Sequence, residues 1–513
     1  MKLKKLPIGI STLKEILQED YIYVDKTHIA QELIETGKYY FLSRPRRFGK
    51  SLFLDTLKTI FDGDKEFFGN LHIGNNNYKF EKHPIIRISF NDGDFKTQEG
   101  FNQTLYEVMK RNQQYLDIVC DKDLSISGCF RELIYQAYLK YNKKVVILVD
   151  EYDKPILDNI EDTEEAKQRR ETLKSFYSVI KGADEYLKFV FITGVSKFSK
   201  VSLFSGLNNI DDITLDKKYA TICGYTQNDV ETVFSKHLKG QDFKKIKKWY
   251  NGYKFLGEGV YNPFDILLFI SKNFEYRSYW FQTATPTFLL KLIEKNNYFL
   301  PNLEYIVKDE MMLNSFDVDY IELETLMWQT GYLTINNSKA TPMGYLYELT
   351  IPNMEVKISL MSSISDFMSK IQNSTIVHNN IYNAFADNDF NKLETNIKAL
   401  FASIPYNLFV NNKMYEYEGY YVSVFYSYIK ALGLELIGED CTNKGRIDLS
   451  IKVANYIYIC EFKVDGKKGE ALSQIKDKKY HEKYLSEDKN IYLMGIEFNS
   501  VDKNISNFEV ERV

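Results

Sequence analysis

The chain has 513 residues, 44% hydrophobic and 15% aromatic with 39 Tyr and 35 Phe, too much for one ordinary core, so two to four domains are expected. A formal net charge of −4 excludes a surface that is basic throughout; any nucleic-acid contact must be a local patch. Ten prolines and no low-complexity run argue against long disordered linkers.

The five cysteines (Cys120, Cys129, Cys223, Cys441, Cys460) are scattered and form no C-x-x-C, which points to reduced thiols in a cytoplasm rather than disulfides or zinc. The basic start MKLKKLPIGISTLKE has no apolar stretch suited to a signal peptide. No run of about 18 apolar residues predicts a membrane span. The expectation is a cytoplasmic protein with no membrane partner.

In chain order, Tyr39 to Leu42, Pro84 to Phe90, Val145 to Val149 and Lys188 to Thr193 read as short buried strands. Helical spacing fills the intervals: Ser51 to Ile60, then roughly Gly100 to Gln114, Arg131 to Tyr141 and Glu164 to Ile180. This alternation predicts an α/β fold with a parallel sheet and helices on both faces.

The first strand runs into RPRRFGKS, Arg44 to Ser51. Gly49-Lys50-Ser51 ends a phosphate-binding loop, but Arg44 stands where the first glycine of G-x-x-x-x-G-K-[ST] belongs. A strand before and a helix after give the context that such a loop requires. Backbone N–H groups would face the phosphates, Lys50 would reach the terminal ones and Ser51 would ligate Mg²⁺. The strand from Val145 ends in Asp150-Glu151, where Asp150 can hold the metal and Glu151 can polarise a water. A G-K-S triplet and an apolar strand ending in acids each occur by chance; their order and context together point to a P-loop NTPase-type domain. Arg44, Arg46 and Arg47 read as holding ATP first, or a neighbouring subunit of a homo-oligomer, or nucleic acid, with a solvated loop the bland reading of Arg46 and Arg47.

Here the chain resembles a known family, the AAA-ATPase-like proteins with a C-terminal PD-(D/E)XK nuclease domain. The resemblance rests on Tyr23-Val24-Asp25-Lys26-Thr27, on Leu42 to Ser51 and on Val149 to Pro155. In that family the arginine-rich loop is the norm. Phe191 to Asn209 is similar to the segment after the fourth strand, where Thr193 or Ser196 could sense a γ-phosphate or simply cap a loop.

In the middle, Thr226 with Asp229 reads as a helix cap. Lys244, Lys245, Lys247 and Lys248 read as a solvated face, with a nucleic-acid patch as the alternative. WYNGYKF, VYNPFDIL and YWFQTATPTFL resemble the family's helical middle region, packed on the ATPase core. Tyr279, Trp280 and Phe281 fit a core better than a base-stacking platform. No catalytic constellation stands between Gly224 and Ala402, and the six histidines lack metal-ligand spacing.

Met414 to Leu432 has helical spacing and carries Glu418. Ile447, Leu449 and Ile451 then alternate with polar residues, and Tyr456 to Val464 is a second β-rich run, so the short gap implies a hairpin. If Ala454 and Asn455 are the turn residues, Asp448 lies opposite Glu461, with Cβ atoms about 4.5–5.5 Å apart. Two carboxylates that close call for a hard divalent cation. Lys463 shares their face and could orient a water or stabilise a pentavalent phosphate, whereas Cys460 points the other way into the core.

This D…E-x-K order completes the resemblance, with GRID at Gly445 to Asp448 and EFK at Glu461 to Lys463. It implies Asp448 and Glu461 as metal ligands, Lys463 as the catalytic lysine, Glu418 as an accessory acid and Gln474 as an orienter of substrate or water. The expected domains are an AAA-ATPase-like P-loop domain over 1–223, a mostly helical connector over 224–402 and an α/β PD-(D/E)XK nuclease-like domain over 403–513. The implied activity is ATP binding and hydrolysis coupled to Mg²⁺-dependent cleavage of nucleic acid, DNA before RNA. The alternative is an ATP-controlled switch that binds nucleic acid or protein without cutting.

Overall fold

The short apolar runs of the first third become a five-stranded parallel sheet, because strands buried on both faces need helices on each side. The computed structural model describes residues 3–121, 123–197, 209–283, 287–313, 318–369, 374–404 and 417–513. The strands are β1 (Tyr39–Ser43), β2 (Ile85–Ser89), β3 (Val145–Asp150), β4 (Leu187–Gly194) and β5 (Asp211–Asp212). Their order is β2-β3-β4-β1-β5, so β4 separates the strand that feeds the basic loop from the strand that ends in Asp150. Every residue of β1 and β3 is buried. The helices Lys50–Phe61, Gln98–Leu116, Ile126–Tyr141 and Thr163–Gly182 supply the covering layers. Ile126–Tyr141 starts five residues before its first expected residue because the Ser125 side chain accepts the Gly128 N–H and caps it.

The YVDKT segment is a structural hub. Asp25 Oδ1 accepts the backbone N–H and the hydroxyl of Thr27, and Asp25 Oδ2 accepts the His72 N–H. Lys26 Nζ reaches Asp229 at 2.9 Å, and Asp229 itself closes the expected capping box with Thr226. Ile22 and Val24 pack into a cluster with Val230, Phe234, Ile246, Tyr250 and Tyr261, which fastens the first residues to the helices after 226.

The chain divides into two compact units, Met1–Ala284 with Val307–Asn353, and Thr285–Ile306 with Met354–Val513. The stretch expected to be a separate connector over 224–402 is thus shared between the two. Its helices bury their apolar stripes against one neighbour or the other. It also contains a three-stranded sheet of β6 (Ile306–Asp309), β7 (Thr334–Thr341) and β8 (Gly344–Thr350).

The second unit holds a mixed sheet of β9 (Glu435–Thr442), β10 (Gly445–Val453), β11 (Tyr456–Val464), β12 (Asn490–Asn499) and β13 (Asn504–Arg512), in the order β13-β12-β11-β10-β9. Only β11 and β12 are parallel, and the helix Glu470–Lys478 makes that crossover. This helix lies so close to β12 that a Cβ at Gly495 would stand 2.6 Å from Leu472 N. Glu418–Ala431 is buried on nearly every face, Tyr420 to Lys430 included. The helix expected from Met414 begins at Glu418; residues 414–416 lie outside the described residues, as do 198–208 of the segment expected to follow the fourth strand. Among the described residues, no helix is long and apolar enough to cross a membrane.

Arg44 departs from its expected role as a phosphate clamp. It is fully buried, and its guanidinium donates to Ser43 O at 2.8 Å, Thr214 O at 2.9 Å and Tyr219 O at 3.2 Å. The ring of Phe255 lies 3.8 Å beneath it. Burial pulls its pKa down to about 10, so it stays charged at neutral pH and holds the loop from behind. Arg44→Ala should lower stability by about 3–5 kcal/mol, because three buried carbonyls lose their donor. Arg44→Lys should rescue little of this, since an ammonium neither forks nor stacks. Denaturant melts check both; a variant of normal stability with weakened nucleotide binding would return Arg44 to the phosphates.

Candidate functional sites

The loop after β1 opens the helix Lys50–Phe61 through Gly49, whose φ of 94° is the left-handed conformation that glycine adopts without strain. Pro45 packs so tightly on Gly331 that a Cβ there would come within 2.8 Å of it. The Arg46 carbonyl accepts the indole N–H of Trp280 at 3.1 Å and the amide of Asn262 at 3.4 Å. Trp280 is fully buried, so it clamps the loop from the core side. Lys50 Nζ folds back on the carbonyls of Arg44 (2.8 Å) and Pro45 (3.0 Å). Burial lowers the Lys50 pKa, against the pull of Glu151 and Asp150.

A cavity of about 510 Å³ opens in front of this loop. Arg46, Arg47, Gly49, Lys50, Ser51 and Glu151 line it, together with apolar groups such as Ile10, Tyr225 and Phe264. Arg47 reaches over the Phe264 ring at 5.1 Å. Burial raises the Glu151 pKa, opposed by Lys50. Asp150 is fully buried at the end of β3 and accepts the Thr193 hydroxyl at 3.0 Å. Ser196 donates its hydroxyl to Asp153 at 2.5 Å, so both suggested γ-phosphate sensors are bonded to carboxylates. Asn91 and Lys154 also line the cavity and were not expected there. Asn91 follows β2 as Glu151 follows β3; the pairing Ser89–Asp150 that brings them together depends on sheet order, which periodicity does not carry.

In the second unit the hairpin turns at Ala454-Asn455, and β10 pairs with β11 from Val453–Tyr456 to Leu449–Cys460. Asp448 and Glu461 are next in line in that register, and Asp448 Oδ2 accepts the Phe462 N–H at 2.8 Å. Glu461 is 2% exposed. Its Oε1 accepts the Gln474 amide, and its Oε2 is buried with no hydrogen-bond partner. Lys463 Nζ lies 3.6 Å from Glu461 Oε1 and 3.4 Å from Glu418 Oε2, and it donates to Phe462 O at 2.8 Å. The hairpin, the first residue of Glu418–Ala431 and the helix Glu470–Lys478 therefore bring all five expected residues together.

Burial pushes both carboxyls up, and the Asp448 charge raises Glu461 further. Burial lowers Lys463, but Glu418, Glu461 and Asp448 outweigh it and hold the ammonium above its usual range. Tyr480, part of the family-like segment Ala471 to Tyr480 but given no role by the sequence, hydrogen-bonds Gln474. Cys460 is fully buried with its Sγ 3.9 Å from Met494 Sδ. On the helix Phe243–Tyr250 the four lysines are exposed while Ile246 and Tyr250 are buried.

A family model described as a predicted AAA-ATPase matches residues 7–204, and one for the PD-(D/E)XK nuclease superfamily matches residues 416–508. A protein of Azotobacter chroococcum mcd 1, "Uncharacterized protein in vnfD 5'region", is 45% identical over 515 residues, spanning all of this chain and 99% of that one. The crystal structure of a Signal Transduction ATPase with Numerous Domains from Pyrococcus horikoshii aligns over 80% of this chain and 58% of its own, at 11% identity and a TM-score of 0.22, too low to argue from. With both matched segments on one chain and a relative alike from end to end, the chain belongs to the AAA-ATPase-like proteins that carry a C-terminal PD-(D/E)XK nuclease superfamily domain.

Proposed function

We propose that this protein binds and hydrolyses ATP and cleaves phosphodiester bonds of nucleic acid, DNA before RNA, with nucleotide state governing access to the cutting site. The observation that carries the reading is the convergence of Asp448, Glu461 and Lys463 on one face of the hairpin, with Glu418 and Gln474 on their outer side.

The family implies a divalent cation, and the residues fit one. Glu461 Oε2 is buried without a partner beside the half-buried Asp448 carboxyl, so a cation there would relieve negative charge that Lys463 alone does not fully match. Asp448 and Glu461 would hold it. Among the described residues no group of three or more His, Cys, Asp and Glu stands together as a metal site, so these two carboxylates are the ligands the chain itself would offer. When bound, Mg²⁺ supplies Lewis-acid polarisation of the phosphate and a more acidic water. The chain's own residues do the rest. Gln474 fixes the Glu461 carboxylate, and Lys463, held by Glu418 and Phe462 O, offers its ammonium to a phosphate oxygen as charge develops. A water oxygen bonds to phosphorus as the P–O bond to the leaving group breaks; the half-exposed Glu418 can accept the water's proton.

In the first unit, Arg46, Arg47 and Lys50 supply positive charge where phosphates would lie, and apolar lining groups such as Ile10 and Phe264 suit a base. Ser51, which lines the cavity, would hold the magnesium ion of the nucleotide, whereas the expected ligand Asp150 is buried on Thr193 and does not line it.

Full-length protein with Mg²⁺ or Mn²⁺ should cut DNA, and Lys463→Ala should slow cutting by roughly 10²–10⁴-fold with ATP binding unchanged. Gel assays on single- and double-stranded DNA and RNA check this; no cutting of any substrate would leave the non-cleaving switch. Lys50→Ala should weaken ATP binding by about tenfold or more, read by calorimetry. Without divalent ions, Asp448→Asn should raise the melting temperature by about 2–4 °C, since Asn still accepts the Phe462 N–H and the carboxylate repulsion is gone. The same variant should lose the stabilisation that Mn²⁺ gives the wild type.

A further inference from the structure

The geometry points to a nucleobase subsite: the cavity beside Glu418 takes one base splayed out of the strand next to the scissile phosphate. The inference rests on the nuclease reading of the adjoining centre and names its substrate class, a single-stranded or locally unpaired nucleic acid.

The cavity measures about 640 Å³ and lies wholly within the second unit. Its walls come from the first turns of Glu418–Ala431, from Tyr298 and Phe299 after the helix Thr287–Lys295, and from Phe367 of Met354–Ser369. With Tyr417 and Tyr420, these rings make it an aromatic-walled slot, and every base has a π-face to offer it. A Cβ at Gly419 would stand 3.2 Å from Phe299 Cδ2, so glycine lets that ring lie on the helix. No lysine or arginine stands among the described lining residues, whereas Glu294 and Asn297 do. Among these residues a phosphate would find no counter-charge, but the amino and imino edge of a base would find acceptors.

Glu418 connects slot and centre. It lines the cavity, and its carboxylate lies 3.4 Å from Lys463 Nζ. A phosphate that meets Lys463 is thus separated from the slot by the Glu418 side chain. A base held in a duplex cannot enter without unpairing, so the slot favours unpaired strands.

The test uses full-length Lys463→Ala, which binds without cutting, and oligonucleotides carrying 2-aminopurine at successive positions. One position should change its fluorescence on binding, and the change should vanish in Tyr298→Leu and Phe367→Leu, which keep apolar bulk and remove the ring. In protein that retains Lys463, an abasic residue at that position should slow cutting by about 5–100-fold, the worth of one stacked base. Circular dichroism melts confirm that the leucine variants fold; should either fail, the abasic substrate still decides the matter with wild-type protein. Uniform fluorescence at every position together with no abasic effect overturns the subsite while leaving cutting intact. A single-position signal from a wild type that cuts nothing would keep the base site and overturn the nuclease reading.

Discussion

A guanidinium with no access to water holds the phosphate loop in place. Arg44 ties the end of β1 to the carbonyls of Thr214 and Tyr219, far along the chain, and Phe255 stacks beneath it. A charge that deep is tolerable only when its donors are taken up, and three carbonyls do most of that. The loop can then dispense with the flexible first glycine usual in such turns. Pro45 on Gly331 and the Arg46 carbonyl under Trp280 and Asn262 complete the frame. Only Arg46 and Arg47 are left to face the cavity, so one run of arginines serves two purposes.

The second unit uses buried charge in the opposite sense. Asp448 and Glu461 are not fully compensated by the chain, and Glu461 Oε2 remains without a donor. Lys463 is near, yet it is shared among Glu418, Glu461 and the Phe462 carbonyl. Leaving negative charge unmatched costs stability, a cost that a bound cation would relieve. Arg44 has its two terminal nitrogens taken up by carbonyls and only Nε left over, whereas Glu461 keeps a carboxylate oxygen without a donor.

The signature segments also divide by role. Asp25, Lys26 and Thr27 spend their polar atoms on His72, Asp229 and one another, so the YVDKT motif fastens elements together. Thr193 and Ser196 likewise serve Asp150 and Asp153. A motif can thus mark a family through its framework as strongly as through its chemistry.

By itself the sequence determined what depends on near neighbours. Apolar runs set the strands, the Ser125 and Thr226 caps set helix starts, and a two-residue turn at Ala454-Asn455 fixed which faces Asp448, Cys460 and Glu461 take, because side chains alternate along a strand. Tertiary structure decided whatever joins distant segments: the insertion of β4 between β1 and β3, the burial of Arg44, the sharing of residues 224–402 between two units, and the slot beside Glu418. Those outcomes follow from packing between elements tens to hundreds of residues apart, and local periodicity carries no record of which elements will meet.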